Sequence, residues 1–197
     1  MRELRSDELG AAAAVLSRGM RDNPLHRQVF GADPERREAA LRRLFTVLLM
    51  QYQPKGIVLG AFSPTTLVGV CVMVHPGRCQ PSLREKLALL GAVARGNKPA
   101  TIVAALRWTS GWARQDPSAS HWHLGPVGVE RERQGQGIGT ALLGAFGERI
   151  DANRAVAYLE TDKQINVLFY ERFGFKVRVE ATVLGVPNWF MLRPAAA

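Results

Sequence analysis

The stretch "ERQGQGIGTALL", Glu132 to Leu143, sets three glycines at alternate positions immediately ahead of an apolar helical pattern. Before it, "HWHLGPVGV" (His121 to Val129) reads as a strand, so the local order is strand, glycine loop, helix. This order places the bare N–H groups of residues 135 to 139 at a helix N-terminus, where the macrodipole adds roughly half a positive charge. A phosphate or pyrophosphate suits such a cradle. Glycine is needed because a Cβ would hold the anion off the backbone and disfavour positive φ. Ile138, Ala141, Leu142, Ala145 and Phe146 then fasten the helix to a sheet. A tight turn with no ligand is the competing reading.

Two nucleotide motifs fail on specific residues. A Walker loop requires Gly-Lys-Ser/Thr, and "GIGT" has no lysine. A dinucleotide fingerprint begun at Gly135 meets Thr140 where its third glycine belongs, and one begun at Gly137 meets Leu142. Glu160 ends the next strand about 20 residues on, where a ribose-binding acid would sit. Fewer than forty residues follow it, too few for a second nucleotide-binding half.

Around this motif the chain reads as alternating helices and strands. Asp7 is placed to cap a helix to about Met20, which "DNP" (Asp22 to Pro24) stops. A second helix starts at Asp33 and Pro34, carries an apolar stripe through Leu41, Leu44, Phe45, Leu48, Leu49 and Tyr52, and ends before Pro54. "GIVLGAF" and "TLVGVCVMVH" form an antiparallel hairpin. Ser82 and Glu85 make a capping box for a helix to about Arg95, and another runs from about Ala100 to Gln115. Further strands are "VAYLE", "KVRVEATVLG" and "NWFMLR", with helices at about 137–151 and 165–173.

With 197 residues, 47% of them hydrophobic, the chain is expected to form one domain, residues 1–197, with a helical insert at about 82–115. No apolar run reaches the roughly 18 residues of a membrane span, and the N-terminus lacks a secretory charge order, so a cytoplasmic protein with no membrane partner is expected. Cys71 and Cys79 have neither CxxC spacing nor a histidine pair beside them, so no metal and no disulfide framework are expected. The net charge of +9 favours an anionic partner, but the basic residues are spread along helices. A basic nucleic-acid-binding module is thus a rival that the sequence does not favour.

"QGQGIG" (Gln134 to Gly139), lying between a strand and a long helix, resembles the Q/R-x-x-G-x-G/A signature of the GNAT acetyltransferase superfamily. "LETDKQINVLFYERFGFKV" is similar to that family's second half, through Asn166, Tyr170, Gly174 and Phe175. Residues 121 to 193 together look most like the puromycin N-acetyltransferase branch. The resemblance implies an α/β GNAT fold: a mixed, mostly antiparallel sheet flanked by helices and splayed at its central strands. It implies acetyl- or acyl-coenzyme A as cofactor, held by Val127, Gly128 and Val129 of the strand, whose amides would pair with the pantetheine. Arg133, Gln134, Gly135, Gln136, Gly137, Ile138, Gly139 and Thr140 would surround the phosphates, with Arg131 nearby, while Asn166, Phe169 and Tyr170 close the site. Pro126 between two glycines suggests a bulge that opens the slot.

Acyl transfer to an amine needs a neutral amine, oxyanion stabilisation and a proton for the departing thiolate. By the resemblance Tyr170 is the acid and the Val127 N–H the oxyanion donor. Glu160 is the candidate base or acceptor anchor, with Glu130, His121 and His123 behind it. The acceptor pocket is expected from about 21–31, 184–189 and the insert with Trp108 and Trp112. The expected activity is acetyl transfer to a primary amine of a small molecule, through a tetrahedral intermediate, by a monomer or homodimer. A protein N-terminal or lysine acetyltransferase and a non-catalytic acyl-coenzyme A sensor are the alternatives.

Overall fold

In the computed structural model, which describes residues 1–196, the chain opens with a two-residue edge strand, β1 (Arg2–Glu3), and a 3₁₀ turn leading into α1 (Leu9–Met20). Asp7 does not cap α1. It lies inside the 3₁₀ turn and contacts Arg5, because the helix starts one residue later than the cap reading requires, with Glu8 at the cap position. α1 ends at Met20 as expected, and the Asn-Pro pair that follows also starts a short helix, α2 (Pro24–Phe30), which the sequence reading does not include. Proline serves at a first helical position because the N–H it lacks has no partner there.

In α3 (Pro34–Tyr52), Asp33 accepts the N–H groups of Glu35 and Arg36, and Leu41, Phe45 and Leu49 are buried as the apolar stripe requires. Each contributes about 1.5–3 kcal/mol of transfer free energy. The hairpin β2 (Gly56–Ser63) and β3 (Thr66–Val74) is followed by α4 (Leu83–Ala94), opened by the Ser82–Glu85 capping box, and by α5 (Pro99–Ala113). Then come β4 (Trp122–Val129), α6 (Ile138–Ala152), β5 (Ala157–Thr161), α7 (Gln164–Glu171), β6 (Lys176–Val183) and β7 (Val186–Arg193).

These strands form one sheet in the order β1-β2-β3-β4-β5-β7-β6, in which only β4 and β5 are parallel. Period-two alternation gives the sheet two faces. Val58, Val70, Val72 and Val74 pack with α1, α2, α3 and α5. Cys71, Met73, Leu124 and Leu159 pack with α6 and α7. This is the GNAT fold, mostly antiparallel and open at its centre.

The opening lies between β4 and β5. Their register holds only two pairs, Trp122↔Ala157 and His123↔Tyr158, and beyond these the strands part. On its other side β4 pairs with β3 throughout, but Cys71 faces Val127 and Met73 faces Leu124, so β4 holds one extra residue at Gly125–Pro126. This is the bulge expected at Pro126. Among the described residues no helix is long and apolar enough to cross a membrane.

Candidate active site

The glycine loop has the conformation its sequence requires. Gly135 and Gly137 sit at φ of 77° and 83°, and Gly137 is the residue from which α6 starts. A Cβ on either would meet nothing within 4 Å, so the space over the loop is open. The Gln134 amide donates to the carbonyls of Val129 (3.1 Å) and Gly19 (3.3 Å), tying the loop to the end of β4 and to α1. Gln136 donates to the Glu132 carbonyl (3.1 Å). The amide side chains thus hold the loop's shape and leave its N–H groups to face outward. Arg131 is engaged by Asp22 at 2.7 Å, whereas Arg133 makes no ion pair among the described residues and remains the basic side chain beside the cradle.

Along β4 the three cofactor candidates divide. Val127 and Val129 pack on the α6 side of the sheet. Gly128 turns to the other face, where a Cβ would fall 2.9 Å from Leu16 Cδ2 of α1. Its missing side chain lets α1 cross close over β4, a packing role that leaves its main chain on the opened slot. The bulge also separates His123 from Val127. The two have equal parity in the sequence, where they are expected on one face, yet His123 points to the α1–α5 side and Val127 to the α6 side.

From α7, Asn166 donates to Thr161 Oγ1 (3.2 Å), which pins the helix to the end of β5. Phe169 reaches the first turn of α6, where its Cζ lies 3.5 Å from the position of a Cβ on Gly139. Tyr170 is 9% exposed, between Phe169 and Phe175. Burial raises its pKa above the ordinary phenol range, with further upward effects from Cys71 on β3 and Asp162 past β5. The ring therefore spans from α7 towards β3, where Cys71 is the strand partner of Val127. Val127 and Val129 of the opened strand, Ile138 at the α6 start and Tyr170 thus share one side of the sheet.

The base candidates also divide. Glu130 is engaged by Arg18, with a shortest contact of 2.5 Å. Glu160, on the opposite face of β5 from Leu159, is 7% exposed at its side chain, and its Oε2 lies 3.1 Å from His123 Nε2. His123 and Tyr158 form the last pair before the strands part, so Glu160 stands just past the fork. Although burial opposes a charge on His123, the Glu160 carboxylate and Cys79 outweigh it and raise its pKa to about 10.

Behind this pair lies a group that the sequence reading does not assemble. Cys79 and Asp116 flank the α4–α5 pair, and His121 and His123 lie at the start of β4. Their ligand-type atoms all fall within 4.8 Å of one another. No local spacing rule reveals them, because Cys79 and Asp116 come from loops 37 residues apart. His121 and then His123 hold the Cys79 thiol down at about 7.

The elements expected to line an acceptor pocket are joined by α5. Trp112 Nε1 donates to Asn188 Oδ1 of β7 (2.9 Å), and Trp108 packs edge-on against His26 of α2 (centroids 5.4 Å). Trp108 is buried, a core residue more than a pocket wall. A groove of about 510 Å³ between α5 and β6, lined by Leu106, Arg107, Arg114 and Val183, does not touch the glycine loop, Tyr170 or Glu160.

Residues 92–177 match the sequence profile of the acetyltransferase (GNAT) domain. The whole fold aligns with a Corynebacterium glutamicum protein named histone acetyltransferase HPA2 and related acetyltransferase, at TM-score 0.73 and 22% identity, covering 99% of this chain and 95% of that one. It also aligns with the PaiA N-acetyltransferase of Thermoplasma acidophilum in complex with coenzyme A, at TM-score 0.60 and 16% identity over 98% of this chain and 96% of that one. A Brucella melitensis GNAT family acetyltransferase in complex with acetyl-coenzyme A aligns at TM-score 0.53 and 16% identity, over 100% of this chain and 87% of that one.

Proposed function

We propose that this chain, which carries a GNAT acetyltransferase domain, transfers an acetyl group from acetyl-coenzyme A to a primary amine of a small molecule. The observation that supports this reading is the combination of an open, positive-φ glycine cradle, a β4 edge with no strand partner past His123, and a buried Tyr170 in the same α6-side cluster as Val127 and Ile138. These residues fit the cofactor. Open space over Gly135 and Gly137 admits a pyrophosphate against the α6 N-terminus, with Arg133 beside it. The free edge of β4 would pair with pantetheine amides as an added strand does.

Acetyl-coenzyme A, when bound, supplies the acyl group as an activated thioester. The chain's own residues would then do three things. The β4 main chain at Val127 would present an N–H to the thioester oxygen. Tyr170, kept protonated by burial, would hold the proton that the departing sulfur needs. Glu160, on the acceptor face of the sheet, would anchor the incoming ammonium and take its proton directly or through a water.

A small-molecule acceptor is favoured because α5 bridges from α2 to β7 and roofs the acceptor side, where an extended peptide would need an open channel. α4 and α5 are therefore read as an insert that selects the acceptor. The test is a thiol-release screen with acetyl-coenzyme A across aminonucleosides, aminoglycosides, polyamines, amino acids and peptides. Turnover with a small amine and none with peptides is expected. Turnover confined to peptides would replace the acceptor class, and cofactor binding without turnover on any amine would make the chain a sensor.

A further inference from the structure

We infer that Cys79, Asp116, His121 and His123 form a tetrahedral zinc site that staples both ends of the α4–α5 pair to the start of β4. The inference is independent of the acyl-transfer reading.

The distances come first. His121 Nε2 lies 3.3 Å from Asp116 Oδ1 and 3.9 Å from Cys79 Sγ, and His123 Nδ1 lies 3.9 Å from the same Asp116 oxygen. Ligand atoms at zinc bond lengths of about 2.0–2.3 Å stand about 3.3–3.8 Å apart on a tetrahedron. The four groups, all within 4.8 Å of one another, thus stand near the edges of a zinc polyhedron and need to draw in by up to about 1.5 Å.

The outward-facing atoms carry the argument further. His121 Nδ1 donates to the Ala119 carbonyl (2.8 Å), so Nε2 is the ring atom turned inward, beside Asp116 Oδ1. His123 Nε2 faces the Glu160 carboxylate at 3.1 Å, which likewise fixes the hydrogen there and leaves Nδ1 as the inward atom. The Asp116 oxygen Oδ2 accepts from the Gln80 amide, leaving Oδ1. Each non-sulfur ligand therefore has its second polar atom held by an oxygen or an amide, the arrangement that orients metal ligands.

Two inward atoms, His123 Nδ1 and Asp116 Oδ1, are buried without a well-directed hydrogen bond, Oδ1 having only the His121 Nε2 contact at 3.3 Å. Leaving them so would cost about 1–3 kcal/mol each, and a cation at the centre satisfies both at once. A Cys-His-Asp nucleophile relay does not account for His121. There the carboxylate and the sulfur face the same ring nitrogen, whereas a relay needs them on opposite ones.

One thiolate, two imidazoles and one carboxylate in four-fold array select zinc over harder cations, and four protein ligands leave no open position, as in structural sites. On binding, the Cys79 thiol and the inward nitrogens of His121 and His123, which their carboxylate partners favour in the protonated form, release their protons to solvent, and the sulfur and both nitrogens bond to the metal. The consequence is mechanical. Cys79 lies where the chain leaves the sheet for α4, and Asp116 where it returns from α5, so the metal fixes the roof of the acceptor side. Through His123 it also fixes Glu160.

The test uses the full chain with any affinity tag removed, loaded with Zn²⁺, dialysed against metal-free buffer and assayed for metal by mass spectrometry. Stoichiometric zinc is expected. Cobalt substitution should give a thiolate-to-metal charge-transfer band and intense visible bands of a tetrahedral centre. Cys79→Ser should lose the charge-transfer band and more than about 100-fold in zinc affinity, while Glu160→Gln, which touches a ligand without being one, should lose about 10–100-fold. Should Cys79→Ser fail to fold, as circular dichroism would show, Asp116→Asn gives the same readout of affinity. Substoichiometric zinc in the wild type, or a cobalt spectrum without the sulfur band, overturns the site. So does alkylation of Cys79 by iodoacetamide at equal rates with and without Zn²⁺, which would leave a free thiol in a hydrogen-bonded cluster.

Discussion

Replacing Tyr170 with phenylalanine separates the acid from the wall it belongs to. The ring is 9% exposed and lies between Phe169 and Phe175, with centroid distances of 5.5 and 6.1 Å, and phenylalanine keeps all of that packing. Among the described residues the hydroxyl makes no hydrogen bond, so its removal should change stability by less than about 1 kcal/mol. Coenzyme A affinity, measured by calorimetry, should stay within a few-fold. Turnover should fall by about 10² to 10⁴, the range for a positioned general acid, which is about 2.7–5.5 kcal/mol of lost transition-state stabilisation. Thiol release should suffer most with poor amines, which leave again easily and so depend more on helping the thiolate depart.

The pH profile adds a second readout. Burial raises the Tyr170 pKa, so the proton is present at all lower pH values, and the wild type should show no alkaline fall in kcat from this group below its ordinary pKa of about 10. An unchanged kcat in Tyr170→Phe, with chemistry shown to be rate-limiting by single-turnover kinetics, would refute the assignment and leave Tyr170 as packing.

Three further outcomes test other parts of the site. Gly137→Asp places a Cβ at φ 83° and a negative charge in the open space over the loop, so calorimetry should detect no coenzyme A binding while the circular dichroism spectrum is kept. Glu160→Gln should lower turnover about 10²-fold with little change in coenzyme A affinity, and kinetics with a saturating amine against a subsaturating one will separate anchoring from proton removal. Asp22→Asn weakens the pair with Arg37, whose side chain is 3% exposed. The expected loss is about 1–2 kcal/mol, below the 3–5 of a fully buried pair, because Asp22 is 40% exposed and Arg37 keeps the Arg21 and Gly31 carbonyls. Although burial pushes the Asp22 carboxyl up, Arg37 and Arg21 outweigh it and hold it at about 2. A lowered acid pKa stabilises fully above the ordinary value near 4 and loses that effect as pH falls towards 2. The melting-temperature gap between wild type and variant should therefore be widest at neutral pH and close below about pH 4.

What the sequence reveals follows from which interactions are local. Asp33 with Pro34, and Ser82 with Glu85, act within one helical turn, and the structure keeps both. The glycine loop is legible for the same reason, since its φ values depend only on glycine at those positions. Asp7 misleads because Ser, Asp and Glu also suit a 3₁₀ turn, and the choice between the two is made where the chain enters the sheet. α2 is missed because Pro24 both ends one helix and begins another. Glu130, Arg131 and Asp162 are beyond any local rule: Arg18, Asp22 and the Leu25 N–H that engage them lie 112, 109 and 137 residues away. The cluster at Cys79 is hidden in the same way, and only the topology brings its two loops to the start of β4.

The bulge at Gly125–Pro126 decides which chemistry stands on which side of the sheet. Without the extra residue, strict alternation from His123 would turn Val127 to the α1–α5 face and Gly128 to the α6 face. The close crossing of α1 would then meet a valine side chain where it now meets the bare α-carbon of Gly128, against Leu16. With the extra residue, His123 and Glu160 stay on the α1–α5 side, while Val127 and Val129 join Ile138, Leu142 and Tyr170 on the side of the glycine loop. The same residue ends ideal pleating just where β4 and β5 part. One inserted position thus opens the slot, sets α1 against its floor, and keeps the proposed acid and the proposed base on opposite faces of the sheet.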